Sequence, residues 1–380
     1  MQIAIIVRIL WPGGVQRAAF AEAEGLTHLG NDVDLIFIRK TTRYTYSSKI
    51  PYKVVYDDKI NSRFLAKLLR KITAHYNPQR GRDATVDIDL IRKLEHSIKK
   101  QYDIIYYFDE FSAFFSKYSK KKFHHKVVVL IHEVAITDGS FLSKIVQRRA
   151  LKNADLILTT TKENLQLLKE AGYNNSFEIY LGLNQHDEIP GFETRENVAI
   201  SVTMWDFGRR PEVLIEIAKN LNFGKILICG DWTDITYMNK LKKSIMEEKL
   251  EKKVEITGPI SEERLENLYK NVKISIRFGY NEKGPGMGSL EAIAWGIPLI
   301  INSGIGIKEK IINGINGVVV DESNSKVVAN IIDELFKDKF QWDKMSYNNI
   351  KLSEELGWDK HNAKLNDLLH AVLNKYLNGI

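Results

Sequence analysis

The chain has only one cysteine among its 380 residues, Cys229, so no disulfide can form within it. This cysteine ends the apolar run from Lys225, which predicts a buried strand residue, and the absence of disulfides favours a reducing compartment. The opening segment MQIAIIVRIL is too short to span a bilayer and lacks a basic leader and a cleavage site. We therefore expect a first strand there and a cytoplasmic protein.

Acidic residues are missing between Lys59 and Arg82, where seven Lys or Arg are interleaved with apolar residues at helical spacing. A basic amphipathic helix of this kind can lie on anionic lipid, which would place the protein peripherally on the cytoplasmic face of a membrane. A helix packed on its own domain with a solvated basic face is the alternative. A second basic cluster spans Lys117 to Lys126, and the net charge is +7. This charge suits an anionic partner without choosing one.

Low-complexity segments, zinc-type ligand spacings and a GxSxG elbow are also absent. Beta-rich runs alternate with amphipathic helical patterns from end to end, which predicts parallel sheets with helices on both faces. The predicted strands are 2–9, 32–38, 104–108, 126–131 and 156–160 in the first half, and 199–204, 225–229, 253–257, 273–277, 298–301 and 317–320 in the second. No zinc or other metal site is expected from these patterns.

A polar segment with Pro190 and two glycines separates the two strand series. The sequence therefore predicts an N-terminal domain over residues 1–183, a linker over 184–196 and a C-terminal domain over 197–355. Residues 356–380 have apolar positions every three or four residues and are predicted to form a final helix.

Glycines follow the first strand in WPGGVQR, Trp11 to Arg17, which opens a helix. Gly14 would let the backbone approach a ligand closely, and the amides of a helix start favour a phosphate. A dinucleotide-binding domain begins in the same way, but the GxGxxG spacing is missing, and the second strand is followed by Arg39 and Lys40 instead of an acidic residue. A phosphorylated cofactor could still tolerate those two cations.

The most informative motif is NEKGPGMGSLEAIAWGIPLI, Asn281 to Ile301. It predicts a strand end, a glycine-rich turn, a helix from about Met287 with Glu291 in its first turn, and another strand. Gly284, Gly286 and Gly288 would let successive amides line an anion site, while Glu291 is suited to accept hydrogen bonds from the two hydroxyls of a ribose. The alternative is that the glycines only permit the turn and that Glu291 complements the helix dipole.

Three further side chains are predicted to lie at the carboxyl edges of the sheets, where ligands of open α/β sheets bind. Arg209 and Arg210 follow a strand and could neutralise a leaving diphosphate, or they could be solvated surface groups. His132 follows the strand VVVLI and could bind a sugar hydroxyl or take part in proton transfer, with a capping role as the alternative. Asp109 and Glu110 are expected on the same edge as His132.

These motifs together resemble the retaining glycosyltransferases with the GT-B fold, often called family four, over nearly the whole chain. Gly13, Gly14, Gln16 and Arg17 match the opening glycine pair, and His132 matches a histidine of the N-terminal domain. The segment LEAIAWGIP matches the second half of a motif in which two Glu flank seven residues. The second Glu is then Glu291, while the first falls on Lys283, and Glu282 fits only with one inserted residue.

The resemblance implies two Rossmann-like domains with parallel sheets facing across a cleft, and a last helix that returns to the first domain. It implies that Arg209 and Arg210 hold the diphosphate of a nucleotide sugar, and that Glu282 and Lys283 lie at the transferred sugar. A family Gly-Arg pair is replaced by Met204 and Trp205. The resemblance further implies that no metal or cofactor is needed, and no DxD pair lies near the donor motifs.

We therefore expect transfer of a hexose, with retention, from a nucleotide diphosphate sugar to a glycan or a lipid-linked acceptor. The nearest alternative enzymes are other GT-B proteins, such as a sugar-nucleotide epimerase. A catalytically silent donor-binding subunit is the alternative from another class. A nucleic-acid binder would fit the charge, but no such module is recognisable in the sequence.

Overall fold

The protein is described from a computed structural model that covers residues 1–10, 13–40, 50–57, 75–77, 81–84, 92, 94–95, 98, 102–132, 134, 136 and 141–374. These residues form two compact units. The first unit comprises the described residues up to Gly182 together with those from Trp358 onward, and the second comprises Leu183–Gly357.

A seven-stranded parallel sheet forms the centre of the first unit, in the order β3-β2-β1-β6-β7-β8-β9. Its strands are β1 (Gln2–Leu10), β2 (Asp32–Lys40), β3 (Tyr52–Asp57), β6 (Ile104–Tyr107), β7 (Lys126–Ile131), β8 (Leu156–Thr159) and β9 (Ser176–Glu178). The helices are α1 (Gly14–His28), α2 (Ser116–Phe123), α3 (Phe141–Leu151) and α4 (Lys162–Glu170), together with α11 (Trp358–Asn374), which follows the second unit in the chain. The strands β4 (His75–Asn77) and β5 (Gly81–Ala84) form a separate antiparallel pair.

The second unit repeats this architecture with a six-stranded parallel sheet in the order β12-β11-β10-β13-β14-β15. Its strands are β10 (Glu196–Val202), β11 (Lys225–Cys229), β12 (Val254–Gly258), β13 (Val272–Arg277), β14 (Leu299–Ile301) and β15 (Gly317–Val319). The helices are α5 (Glu212–Lys219), α6 (Ile235–Glu247), α7 (Glu262–Asn271), α8 (Met287–Ala294), α9 (Ser325–Lys337) and α10 (Lys339–Glu355).

Strand order explains where ligand-binding groups can gather in each unit. In the first sheet β1 lies between β2 and β6, and in the second sheet β10 lies between β11 and β13. The chain therefore winds in opposite directions from β1 and from β10. At such a switch point the connections leaving neighbouring strands diverge and open a crevice at the carboxyl edge.

Hydrophobic patterning accounts for the elements as the sequence predicts. The strands of both sheets are almost entirely buried, Cys229 included, because helices pack on the sheets. Helix α1 buries Ala18, Ala19, Ala23 and Leu26 and ends just before Gly30, whose φ of +84° favours glycine. The predicted two Rossmann-like parallel-sheet domains are confirmed, whereas the sequence did not predict β3, β9 or the β4–β5 pair.

The basic stretch from Lys59 to Arg82 lies outside the described residues except for β4 and the start of β5, so the predicted amphipathic helix stays a prediction. None of the described helices is both long enough and apolar enough to cross a membrane.

Helix α11 belongs to the first unit and packs on α1 through a fully buried ionisable pair. His361 Nε2 lies 3.1 Å from Glu22 Oε1, and both side chains are at most 2% exposed. His361 Nδ1 must donate to the carbonyl oxygen of Tyr180, at 2.8 Å, because a carbonyl can only accept. Beside this pair, Asn362 lies so close to Gly25 that a Cβ at Gly25 would meet its Nδ2 at 1.9 Å.

Replacing His361 by Phe should lower the free energy of unfolding by about 1–3 kcal/mol, because the buried Glu22 carboxyl group would lose its hydrogen-bond partner inside the core. Urea unfolding followed by circular dichroism measures this change. The double variant Glu22→Leu/His361→Phe should recover much of the loss. His370→Phe, at an exposed position of the same helix, is the matched control and should change little. An equal loss of stability in His361→Phe and His370→Phe would contradict the contribution of the buried pair.

Candidate functional site

The connection that leaves β10 at its carboxyl end carries the two predicted arginines. A short 3-10 turn covers Phe207–Arg209, and the Asp206 carboxylate caps it by accepting a hydrogen bond from the Arg209 amide at 2.9 Å. Arg210 ends the turn in the left-handed conformation, with φ +47°. The two arginines have different surroundings.

Arg209 is the more enclosed of the two arginines, with a side chain 15% exposed. Its Nε lies 3.2 Å from Glu282 Oε1, and its Nη1 lies 3.5 Å from Asp206 Oδ2 and also donates to the carbonyl oxygen of Met204. The structure thus brings Arg209 and Glu282 together, although 73 positions separate them in the sequence.

Arg210 is half-exposed and has weaker contacts. Its guanidinium lies 4.9 Å from the ring centroid of Tyr280 and 3.9 Å from the carboxylate of Glu212. Arg210 is therefore a partly exposed cation beside the site, whereas the Arg209 side chain contacts two carboxylates.

Arg277, the last residue of β13, was not among the predicted site residues. Its side chain is buried, and its Nη2 lies 2.5 Å from Glu282 Oε2. The Glu282 carboxylate therefore lies between two guanidiniums, Arg277 on one oxygen and Arg209 on the other. The sequence signal that could have identified Arg277 is its position as a charged residue at the end of the buried strand VKISIR.

The turn that contains Lys283 and Gly284 is fixed by backbone pairing with the loop after β14. The amide of Glu282 donates to the carbonyl oxygen of Gly304 at 2.9 Å, and the amide of Gly306 donates to that of Glu282 at 2.8 Å. A Cβ at Gly306 would lie 2.1 Å from the carbonyl oxygen of Lys283, so only glycine allows this approach. Lys283 is partly buried on the turn and borders the same site.

Helix α8 begins at Met287 because Gly286 precedes it with φ +73°, a conformation that favours glycine. The amides of Ser289 and Leu290 donate to the carbonyl oxygen of Gly286, whereas those of Met287 and Gly288 have no backbone acceptor among the described residues and are donors for an anion. A Cβ at Gly288 would lie 2.6 Å from the carbonyl oxygen of Val202, so the start of α8 approaches the end of β10 at backbone distance. The Ser289 hydroxyl is buried below this helix start and has no hydrogen-bond partner among the described residues.

Glu291 does not lie in the first turn of α8 as predicted. The helix begins at Met287, so Glu291 is its fifth residue and lies in the second turn. The Tyr269 hydroxyl is 3.1 Å from Glu291 Oε2 and 3.2 Å from the carbonyl oxygen of Gly288, and its single proton serves one of them at a time. Tyr269 therefore positions Glu291, a role that depends on a contact between α7 and α8 and has no signal in the sequence.

In the first unit, His132 follows β7 at the carboxyl edge of the sheet. Its Nε2 lies 3.1 Å from the carbonyl oxygen of Phe108 and must donate to it, which leaves the lone pair of the neutral ring on Nδ1. Asn164 donates to the His132 carbonyl oxygen at 2.9 Å. Burial lowers the pKa of His132, so the ring is neutral near pH 7.

Asp109 and Glu110 lie at the same edge, after β6. Burial, followed by the charge of Asp109, raises the pKa of Glu110 to about 8, and Gln147 donates to it at 3.2 Å. Asp109 accepts from the amide of Ser112 at 2.6 Å and lies 3.9 Å from Arg8. Gly14 is the first residue of α1 and lies after β1, while Trp11 is outside the described residues.

Each unit thus has its own set of predicted site residues at a switch point. The second unit brings together Arg209, Glu282, Lys283, the turn from Gly284 to Gly288, and Glu291, while the first holds Gly14 and His132. Within the described ranges, no group of three or more His, Cys, Asp or Glu is placed to hold a metal ion.

Two parallel-sheet units, the second with a glycine-rich helix start and an arginine at its switch point, define a GT-B α/β protein. Residues 184–352 match the family model of glycosyl transferases group 1, a range that covers almost all of the second unit. The second unit thus matches this family over almost its whole length, and the resemblance to GT-B glycosyltransferases is confirmed.

A relative and two solved structures agree with this assignment. An uncharacterized glycosyltransferase of Methanocaldococcus jannaschii is 24% identical over 243 residues, which cover 63% of this chain and 67% of the relative. The Anabaena protein HepE, in complex with UDP and glucose, is 15% identical with a TM-score of 0.75, over 98% of this chain and all of that one. Sucrose-phosphate synthase from Thermosynechococcus elongatus is also 15% identical, with a TM-score of 0.76 over 99% and 100% of the two chains.

Replacing Gly288 by Ala should lower the free energy of unfolding by about 1–3 kcal/mol, since the added Cβ would collide with the carbonyl oxygen of Val202. This loss outweighs the gain in helix propensity, which is at most about 1 kcal/mol. The matched control is Gly284→Ala in the same turn, where a Cβ meets nothing within 4 Å and φ is not positive. Urea unfolding of both variants measures the difference. Equal stability of the two variants would contradict the close approach of α8 to β10.

Proposed function

We propose that the protein transfers a hexose, with retention, from a nucleotide diphosphate sugar to a glycan or a lipid-linked acceptor. The observation that carries the proposal is the gathering of Arg209, the glycine-rich start of α8 and Glu291 at the switch point of the second sheet. The family match supports it, as does the HepE structure, which contains UDP and glucose.

In this proposal the diphosphate of the donor lies between the start of α8 and Arg209. The helix start supplies amide donors and about half a positive charge, and Arg209 supplies a full one. The buried Ser289 hydroxyl, which has no partner among the described residues, is a further donor for a phosphate oxygen. Gly284, Gly286, Met287 and Gly288 form the backbone of this part of the site.

Glu291 would bind the two ribose hydroxyls of the nucleotide, with Tyr269 holding the carboxylate in place. Glu282 and Lys283 precede the anion site along the turn and would border the sugar end of the donor. The nucleoside, the diphosphate and the sugar of the donor would then follow one another along one edge of the second unit.

Transfer breaks the bond between the anomeric carbon and the diphosphate oxygen and forms a bond from that carbon to the acceptor oxygen. Arg209 and Arg210 would neutralise the charge that builds on the leaving diphosphate, without a metal ion. Retention requires attack on the face from which the diphosphate leaves, and a phosphate oxygen would then take the proton of the acceptor hydroxyl. Neutral His132, with its lone pair on Nδ1, would accept a hydrogen bond from a sugar hydroxyl without acting as an obligatory base.

The first unit, including Gly14, would recognise the acceptor, and a lipid-linked acceptor would bring the protein to the cytoplasmic face of a membrane. Two described helices of this unit favour that location. Helices α2 and α3 contain no acidic residue, and Lys117, Arg149 and Lys152 line one surface depression between them. Phe141 on α3 is 78% exposed, an unusual exposure for an aromatic side chain on a basic surface.

UDP-glucose at about 100 times its dissociation constant should stabilise the protein by about 2.7 kcal/mol, which is seen as a rise in Tm. Glu291→Ala should abolish most of this rise at the same ligand concentration, since the ribose hydroxyls lose their acceptor. Glu263→Ala, at an exposed position of α7, is the matched control and should keep the shift. An unchanged shift in Glu291→Ala would contradict the assigned site.

Release of UDP from UDP-glucose in the presence of a glycan or lipid-linked acceptor, and not in its absence, would separate a transferase from the alternatives. Binding without turnover over a broad acceptor panel would favour a silent donor-binding subunit. UDP release that does not depend on any acceptor would favour another GT-B enzyme, such as an epimerase.

The chain should float with vesicles that contain phosphatidylglycerol and not with pure phosphatidylcholine vesicles. Each basic residue near an anionic surface contributes about 1 kcal/mol, so the double variant Phe141→Ser/Arg149→Glu should lose most of the binding. The matched control Phe340→Ser/Lys326→Glu changes an 82% exposed Phe and an exposed Lys of the second unit, and should bind normally. Equal flotation of all variants would exclude α3 as the membrane contact.

A further inference from the structure

We propose that Arg277 is a positioning residue for the diphosphate site, because it holds Glu282 and, through Glu282, the guanidinium of Arg209. The inference rests on the proposed function and deepens it, since it assigns a role to a residue that would not touch the donor. In this proposal Glu282, which borders the sugar end of the donor, also orients Arg209 toward the diphosphate.

Arg277 is a buried cation at the carboxyl end of a central strand, only 4% exposed. A buried guanidinium needs both a counter-charge and acceptors for its donors. Nη2 meets Glu282 Oε2 at 2.5 Å, and Nη1 donates to the carbonyl oxygen of Phe278 at 2.5 Å. The strand end therefore fixes the carboxylate of Glu282 in one orientation.

The second oxygen of that carboxylate then fixes Arg209. Glu282 Oε1 accepts from Nε at 3.2 Å, while Nη1 is engaged by Asp206 and by the carbonyl oxygen of Met204. Within the described residues, Nη2 has no bond to a protein group, so this nitrogen is the donor directed to a ligand. A phosphate oxygen would meet a guanidinium whose other two nitrogens are already held.

Preorganisation is the physical gain from this chain of contacts. An arginine side chain has many rotamers, and a ligand that must order it loses part of the binding energy. Charge balance adds a second reason. The two arginines match the two carboxylates of Asp206 and Glu282, whereas without Arg277 the group would carry a net negative charge beside a diphosphate.

A second buried arginine of the same unit provides a comparison for Arg277. Arg195 is also 4% exposed, and its guanidinium donates to the backbone carbonyl oxygens of Pro190, Tyr269, Val272 and Trp295. It touches no predicted site residue through its side chain. Arg195→Met is therefore a matched control that removes a buried guanidinium and leaves the Glu282 contacts intact.

The test measures the affinity of the full chain for UDP and for uridine by calorimetry, in Arg277→Met, Arg209→Met and the double variant. Each single change should raise the Kd for UDP by about tenfold or more, and the double variant should bind as weakly as Arg209→Met alone, because the two residues act in series. The Kd for uridine, which has no phosphate, should not change. Arg277→Lys should restore part of the affinity for UDP.

For Arg195→Met we expect a lower Tm. If this variant changes the Kd for UDP, the fold-changes of Arg195→Met and Arg209→Met should multiply in their double variant, because the two residues act independently. The proposal is overturned if Arg277→Met shows the same independence, or if it weakens uridine and UDP equally. Should Arg277→Met fail to fold, Glu282→Gln, which keeps the shape of the side chain, must show the same coupling to Arg209. A wild-type chain that binds neither UDP nor pyrophosphate would instead overturn the proposed function.

Discussion

The candidate site of the second unit depends on one carboxylate between two guanidiniums. The Glu282 carboxylate forms ion pairs with Arg277 at the end of β13 and with Arg209 in the connection after β10. A single side chain thus joins two neighbouring strand ends at the switch point. Charges at this depth are stable only when they are paired with good geometry. Pairing therefore decides which way Arg209 points, while Arg210, which lacks such a partner, remains half-exposed.

Close backbone approach is the second constraint, and it explains most of the glycines around the site. Gly288 lets the start of α8 approach the end of β10, and Gly306 lets the loop after β14 pair with the turn at Lys283. Gly304 similarly would place a Cβ 2.1 Å from the carbonyl oxygen of Gly279. These close approaches fix the path of the backbone around the turn. Of the glycines predicted to allow a ligand to approach, Gly288 is thus also required for packing.

Neutral groups dominate the corresponding edge of the first unit. Burial lowers the pKa of His132 and raises that of Glu110 to about 8, so both side chains are mainly uncharged near pH 7. These two neutral side chains can form directional hydrogen bonds, and they lie beside the charged pair of Arg8 and Asp109. The carboxyl edge of the second unit, in contrast, contains the buried ion pairs of Arg209 and Arg277 with Glu282.

The sequence by itself determined the two parallel sheets and the location of the glycine-rich turn, because burial between two helix layers requires apolar runs and closely spaced glycines favour a turn. It also placed His132 after a strand and Arg209 in the connection that follows another strand, since these positions depend only on local order along the chain. Tertiary structure alone decided that Glu291 lies in the second turn beside Tyr269, and that Arg277 and Glu282 pair with each other and with Arg209. Those contacts join segments that are distant in sequence, and no local propensity records which buried charge will meet which partner.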